Sequence, residues 1–171
     1  MTAPGRDVIE LVIRTPEEMN ALGRRIGGQL RAGDIVALSG ELGAGKTTLT
    51  RGLGEELGVR GTVTSPTFVL ARTHPREAGP PLVHVDAYRL GSAAELDDLD
   101  IDFERSIVVV EWADGMLDGV NDSLLAVRID RPTGAGGTGV PGSGRLDEEP
   151  IEPRRVTIAP SGPRWRGHPF A

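Results

Sequence analysis

The chain has 171 residues, a formal net charge of −6 and no cysteine. That length suits one domain, the lack of cysteine excludes disulfides and thiolate metal sites, and the acidic balance argues against gripping a nucleic-acid backbone unaided, because lysine and arginine drive that binding. No stretch approaches the roughly 20 apolar residues of a membrane span, and MTAPGRDVIE lacks the order of a secretion signal, so a cytoplasmic location is expected. Three scattered histidines, His74, His84 and His168, form no zinc-like cluster. Any metal must then sit on oxygen ligands, which favours magnesium.

Residues 7–13 (DVIELVI) read as a first strand. In TPEE, Thr15 can cap a helix, Pro16 fits its first turn and Glu18 closes a capping box. Met19, Leu22, Ile26 and Leu30 follow at helical spacing, which predicts a helix ending near Gly33. DIVALSG (34–40) is an apolar run suited to a buried strand, and it leads into a glycine-rich stretch. A second helix is predicted from Lys46 to Leu57, with Gly58 as its stop.

LVHVDAYRL and SIVVVEWAD each place an apolar strand before an acidic residue, Asp86 and Glu111, and SAAE (92–95) opens a short helix between them. Such alternation predicts an α/β fold with a mainly parallel sheet and helices on both faces. SLLAVRID and RRVTIAP read as an antiparallel edge pair near the C-terminus. Between them lies a Gly/Pro-rich insertion, 131–153, with six glycines and three prolines in its first twenty positions. It reads as flexible. Residues 161–171 read as a loose tail, and the whole of 1–171 as one domain.

Gly40 through Thr47 match G-x-x-x-x-G-K-[ST], placed after a buried strand and opening a helix. This predicts a P-loop NTPase-like three-layer fold. Gly40, Gly43 and Gly45 let the backbone curl so that N–H groups point at phosphate oxygens, aided by the positive end of the following helix. Lys46 is the chain's sole lysine against eighteen arginines, and a compact ammonium reaches between β- and γ-phosphates better than a broad guanidinium. Thr47 would place its hydroxyl on magnesium. Asp86 and Glu111 lie at strand ends that converge on the loop. One division has Glu111 on magnesium, directly or through water, and Asp86 on a metal-bound or attacking water; the sequence leaves the assignment open.

N-K-x-D, which reads guanine, is impossible because the sole lysine is already used, and D-x-x-G does not occur, so ATP is the expected nucleotide. TSPTF (64–68) lies where nucleotide switches sense a γ-phosphate, although Ser-Pro is also an ordinary turn signal.

In order and spacing, GELGAGKTT, TSPTF, HVDAYRL and VVEWAD resemble the TsaE (YjeE) family over about residues 7–130. The resemblance implies an ATP hydrolase that slowly turns over Mg-ATP and supports threonylcarbamoyladenosine formation in tRNA. It would work with TsaB and TsaD and meet tRNA only through that complex. It implies phosphate contacts at Leu42, Gly43, Ala44, Gly45, Lys46, Thr47 and Thr48, magnesium ligation at Thr47 and Glu111, and a catalytic or water-ordering role for Asp86. It also implies a switch at 64–68 and places the segment around Thr15 near the nucleotide; Trp112 fits the same pattern. Lys46, Asp86 and Glu111 form the expected catalytic set.

The insertion and the tail GPRWRGHPFA fall outside the family pattern. In the tail, Arg164, Trp165, Arg166 and Phe170 mix basic and aromatic side chains, as a nucleic-acid contact does, or else belong to a frayed end. The acidic run ELDDLDIDFE suits either a basic partner or a solvated face. Two other classes share the phosphate loop: a small-molecule kinase and a non-hydrolysing ATP sensor.

Overall fold

The computed structural model describes residues 8–41, 43–64, 70–112, 117, 120–131 and 152–167. Seven strands form one sheet: β1 (Ile9–Ile13), β2 (Ile35–Gly40), β3 (Ala71–His74), β4 (Leu82–Asp86), β5 (Ile107–Glu111), β6 (Leu124–Asp130) and β7 (Arg154–Ser161). Their spatial order is β1-β7-β6-β2-β5-β4-β3. The central four, β6, β2, β5 and β4, are parallel, as their nearly continuous apolar sequences require.

β6 and β7 pair antiparallel as expected, but they are not the edge. β1 adds outside β7, its Ile9, Leu11 and Ile13 turned toward the core while Glu10 and Val12 face out. β3 forms the opposite edge against β4. No apolar run announces it, because of ARTH only His74 is buried and the backbone ladder carries the strand.

Helices α1 (Pro16–Gly27) and α2 (Lys46–Leu57) lie together on one face. Their Met19, Leu22, Ile26, Leu49 and Leu53 share a core with Val36 and Leu38 of β2 and Val127 and Ile129 of β6. The two backbones touch through glycine. A β-carbon on Gly23 would meet the Leu49 carbonyl oxygen at 2.1 Å, and one on Gly52 the Asn20 oxygen at 2.1 Å.

Thr15 caps α1 by accepting from the Glu18 N–H at 3.1 Å. The Glu18 carboxylate, however, accepts from the Arg14 N–H at 2.7 Å, one residue outside the cap that a capping box would serve. α1 also stops earlier than Gly33: Gly28 ends it by donating to the Arg24 carbonyl, and Leu30 meets the core from the turn beyond. α2 runs as the sequence predicts, closed by Gly58 at φ +70°.

The other face is covered by a short helix, α3 (Ala93–Asp97), and the chain after it. Leu96, Leu99, Ile101 and Phe103 turn inward against Val85, Val108 and Val110, which leaves Asp97, Asp98, Asp100 and Asp102 exposed. The acidic run is thus the outer side of a packed segment. Residues 132–151 of the expected insertion and 168–171 of the tail, His168 and Phe170 among them, lie outside the described residues.

The expectation of a loose tail is corrected for residues 161–167. Ser161 completes β7, and Pro163–Trp165 form a 3-10 turn that drives Trp165 into the core at 3% exposure. Arg164 donates to both carboxylate oxygens of buried Asp34 at 3.0 and 3.1 Å and to the Gln29 carbonyl at 2.8 Å. Its guanidinium also stacks 4.2 Å over the Trp165 ring. These two side chains fasten the last strand instead of facing a ligand. Trp165→Ala is expected to cost about 3–5 kcal/mol in urea unfolding, the range for deleting a buried aromatic. A frayed tail would leave the midpoint unchanged.

Candidate functional site

β2 delivers the chain to Gly40 beside β6, where a β-carbon would stand 2.6 Å from the Ile129 carbonyl oxygen. The backbone then turns through positive φ at Gly43 (+76°) and Gly45 (+115°), a region open to glycine. Gly45 is the N-cap of α2 and supplies no side-chain hydrogen bond, so among the described residues no side chain caps the first N–H groups of that helix. Such an end attracts anions. Gly43, Ala44, Gly45 and Thr48 form one wall of a cleft of about 440 Å³, while Ile13, Thr15, Met19 and Arg154 contribute others. Thr47 is half-buried on the first turn of α2. Leu42 lies outside the described residues.

Lys46 is 7% exposed. Its Nζ donates to the carbonyls of Gly40 at 2.6 Å and Glu41 at 3.1 Å, and lies 4.1 Å from the Trp112 ring centroid. Burial pulls its pKa below the usual lysine value, and the negative charges of Glu111 and Asp86 offset part of that pull. Trp112 adopts φ +60°, uncommon for a bulky residue, with its N–H on the Leu38 carbonyl at 3.1 Å and Tyr88 edge-on at 5.6 Å.

Asp86 and Glu111 are register partners at the C-terminal ends of β4 and β5. Their surroundings differ. Asp86 Oδ1 accepts from the Tyr88 N–H at 3.0 Å, capping the 3-10 turn Ala87–Arg89. Glu111 is 3% exposed and its Oε1 accepts no hydrogen bond. A buried carboxylate oxygen without a donor is costly, and a cation is the natural partner for it. Among the described residues no group of three or more His, Cys, Asp or Glu side chains could hold a metal by itself. One carboxylate and the Thr47 hydroxyl, completed by phosphate oxygens and water, nevertheless suit magnesium, which seldom uses an all-protein cage.

The sequence passed over His84. Fully buried on β4, two residues before Asp86, it brings Nε2 to 3.3 Å from Glu111 Oε1, although neither atom completes a hydrogen bond. A histidine at the same strand parity as Asp86, inside LVHVD, was the available signal. Of the suspected switch, Thr64 is exposed, and residues 65–68 lie outside the described residues.

Because the folded-state pKa of Lys46 lies below 10.5, the unfolded chain binds the extra proton between the two values, and stability there rises with pH. The wild type is therefore expected to gain stability relative to Lys46→Met as pH climbs toward 10.5. Paired urea titrations check this; a difference independent of pH would contradict it.

The family model described as "Threonylcarbamoyl adenosine biosynthesis protein TsaE" matches residues 13–136. The tRNA threonylcarbamoyladenosine biosynthesis protein TsaE of Streptomyces coelicolor is 54% identical over 151 residues, spanning 86% of this chain and 93% of the relative. Its counterpart from Mycobacterium tuberculosis is 52% identical over 125 residues, 67% of this chain and 74% of the relative. The crystal structure of YdiB from Bacillus subtilis superposes with a TM-score of 0.69 at 27% identity, covering 96% of this chain and 93% of that one. With a family model and relatives agreeing over most of its length, this chain belongs to the TsaE family.

Proposed function

We propose that this chain is a P-loop ATPase that binds and slowly hydrolyses Mg-ATP in support of tRNA threonylcarbamoyladenosine formation, working in the cytoplasm with TsaB and TsaD. The observation that carries the reading is the pairing of an α2 N-terminus whose N-cap supplies no side-chain hydrogen bond, holding the sole lysine, with a buried carboxylate of which one oxygen, Glu111 Oε1, accepts no hydrogen bond. The names of the relatives point to the same pathway. Family membership favours this reading over a small-molecule kinase. Among the described residues no helix is long and apolar enough to cross a membrane.

N–H groups of residues 43–48 receive the phosphates at the positive end of α2, the Ala44 N–H leaving the Glu41 carbonyl that it meets at 3.0 Å, and Lys46 leaves its own carbonyl partners to meet the added negative charge. Thr47 and Glu111 would hold a magnesium ion, which when bound would supply neutralisation of the phosphate charge. Asp86, fixed by the Tyr88 N–H, keeps carboxylate capacity free to orient the attacking water. Ile13 and Thr15 line the same cleft and suit a base beside the loop.

Lys46→Ala is expected to weaken Mg-ATP binding at least about 100-fold, as losing a preorganised phosphate donor does, and to abolish tRNA modification in cells. Unchanged modification would contradict the proposal. Asp86→Asn is expected to bind ATP nearly as the wild type does but to turn over about 100-fold more slowly in the presence of TsaB and TsaD. Equal turnover no faster than uncatalysed hydrolysis, with and without partners, would instead indicate a non-hydrolysing sensor, and γ-phosphate label on a metabolite a kinase.

A further inference from the structure

A second group of charges lies across the phosphate loop from the strand-end carboxylates. β6 runs parallel to β2 and ends at Asp130, so Arg131 emerges at the same end of the sheet as the loop. One of its guanidinium nitrogens, Nη1, lies 3.6 Å from where a β-carbon on Gly43 would stand. Arg154 opens β7 in register with Ile13, and it lines the cleft together with Glu152, Gly43, Gly45 and Thr48. Although the Arg154 side chain is 22% exposed, its Nη1 is buried and donates no hydrogen bond.

Glu152 stands between the two arginines. Its Oε2 is 3.9 Å from Arg131 Nη2 and 3.9 Å from Arg154 Nη1, close enough for ion pairing but too far for a hydrogen bond. Two guanidiniums thus share one carboxylate, which leaves one positive charge in excess and a buried N–H in search of an acceptor. The carboxylate's hold is weak, since partly exposed pairs at this distance contribute little. A phosphate oxygen satisfies both needs, and a guanidinium meets it with two parallel N–H bonds.

We propose that Arg131 and Arg154 form a cationic wall of the nucleotide cleft that binds the phosphate chain from the side opposite the strand-end carboxylates, with Glu152 holding both guanidiniums until phosphate displaces it. The inference rests on the ATP-binding reading above, and it gives a role to two arginines that composition alone left without one. It also adds specificity for charge: a ligand with fewer phosphates gains less from the wall.

Calorimetric titration of wild type, Arg131→Ala, Arg154→Ala and Glu152→Gln with Mg-ATP and with magnesium tripolyphosphate, which has no base or ribose, tests it. Each arginine variant is expected to weaken both ligands by about 10-fold or more, and Glu152→Gln to tighten both by a few fold. The wall is overturned if ATP affinity is unchanged in both arginine variants. It is equally overturned if ATP weakens while tripolyphosphate does not, which would assign these residues to the base or ribose. Arg131 is 40% exposed and its removal is compatible with folding even where Arg154→Ala is not. Wild-type protein that binds neither ligand would overturn the ATPase reading itself, and the wall with it.

Discussion

The site turns on a single buried ammonium. Lys46 sits at the mouth of the parallel sheet with two backbone carbonyls and an indole face as its close company, in a position where burial disfavours its charge. Such a group is poised for a polyanion, because each negative charge brought close repays part of its desolvation. The glycine loop lies next to it, turning through positive φ at Gly43 and Gly45 before the first turn of α2. Strain at Trp112, whose ring covers the lysine, belongs to the same arrangement.

The fold exists, in this sense, to hold three chain ends in register. Parallel pairing of β2, β5 and β4 places the glycine loop, Glu111 and Asp86 at one edge, and the β4–β5 register alone decides that the two carboxylates stand side by side. Glycine contact between α1 and α2 then fixes the helix whose first turn carries Lys46 and Thr47. On the far side, Trp165 and the Arg164–Asp34 pair clamp β7, which carries Arg154 to the cleft. Packing distant from the loop thereby sets the geometry at the strand ends.

Much of this was legible beforehand. Strands β2, β4 and β5 are short apolar runs ending in a glycine or an acidic residue, and α2 is bounded by its own motif and Gly58. What escaped depends on contacts between distant segments. β3 has almost no apolar side chains and exists through backbone pairing with β4. Arg164 meets Asp34 across 130 residues of chain, so a glycine- and proline-rich end gave no sign of its anchor. His84 faces Glu111 only because of a strand register, and Glu152 joins Arg131 only because the chain returns to the sheet beside the loop. The overshoot of α1 has a different cause: Leu30 keeps helical spacing, but consecutive glycines at 27 and 28 end the helix first.

The central claim is that the loop, Lys46 and Glu111 together make a site for a nucleotide's phosphates and their magnesium. Titration of ATP into the folded protein, with magnesium and then with excess chelator, tests it most directly. The account predicts one-to-one binding that collapses when magnesium is withdrawn. Binding of equal strength without the metal, or no binding at all in its presence, would contradict it.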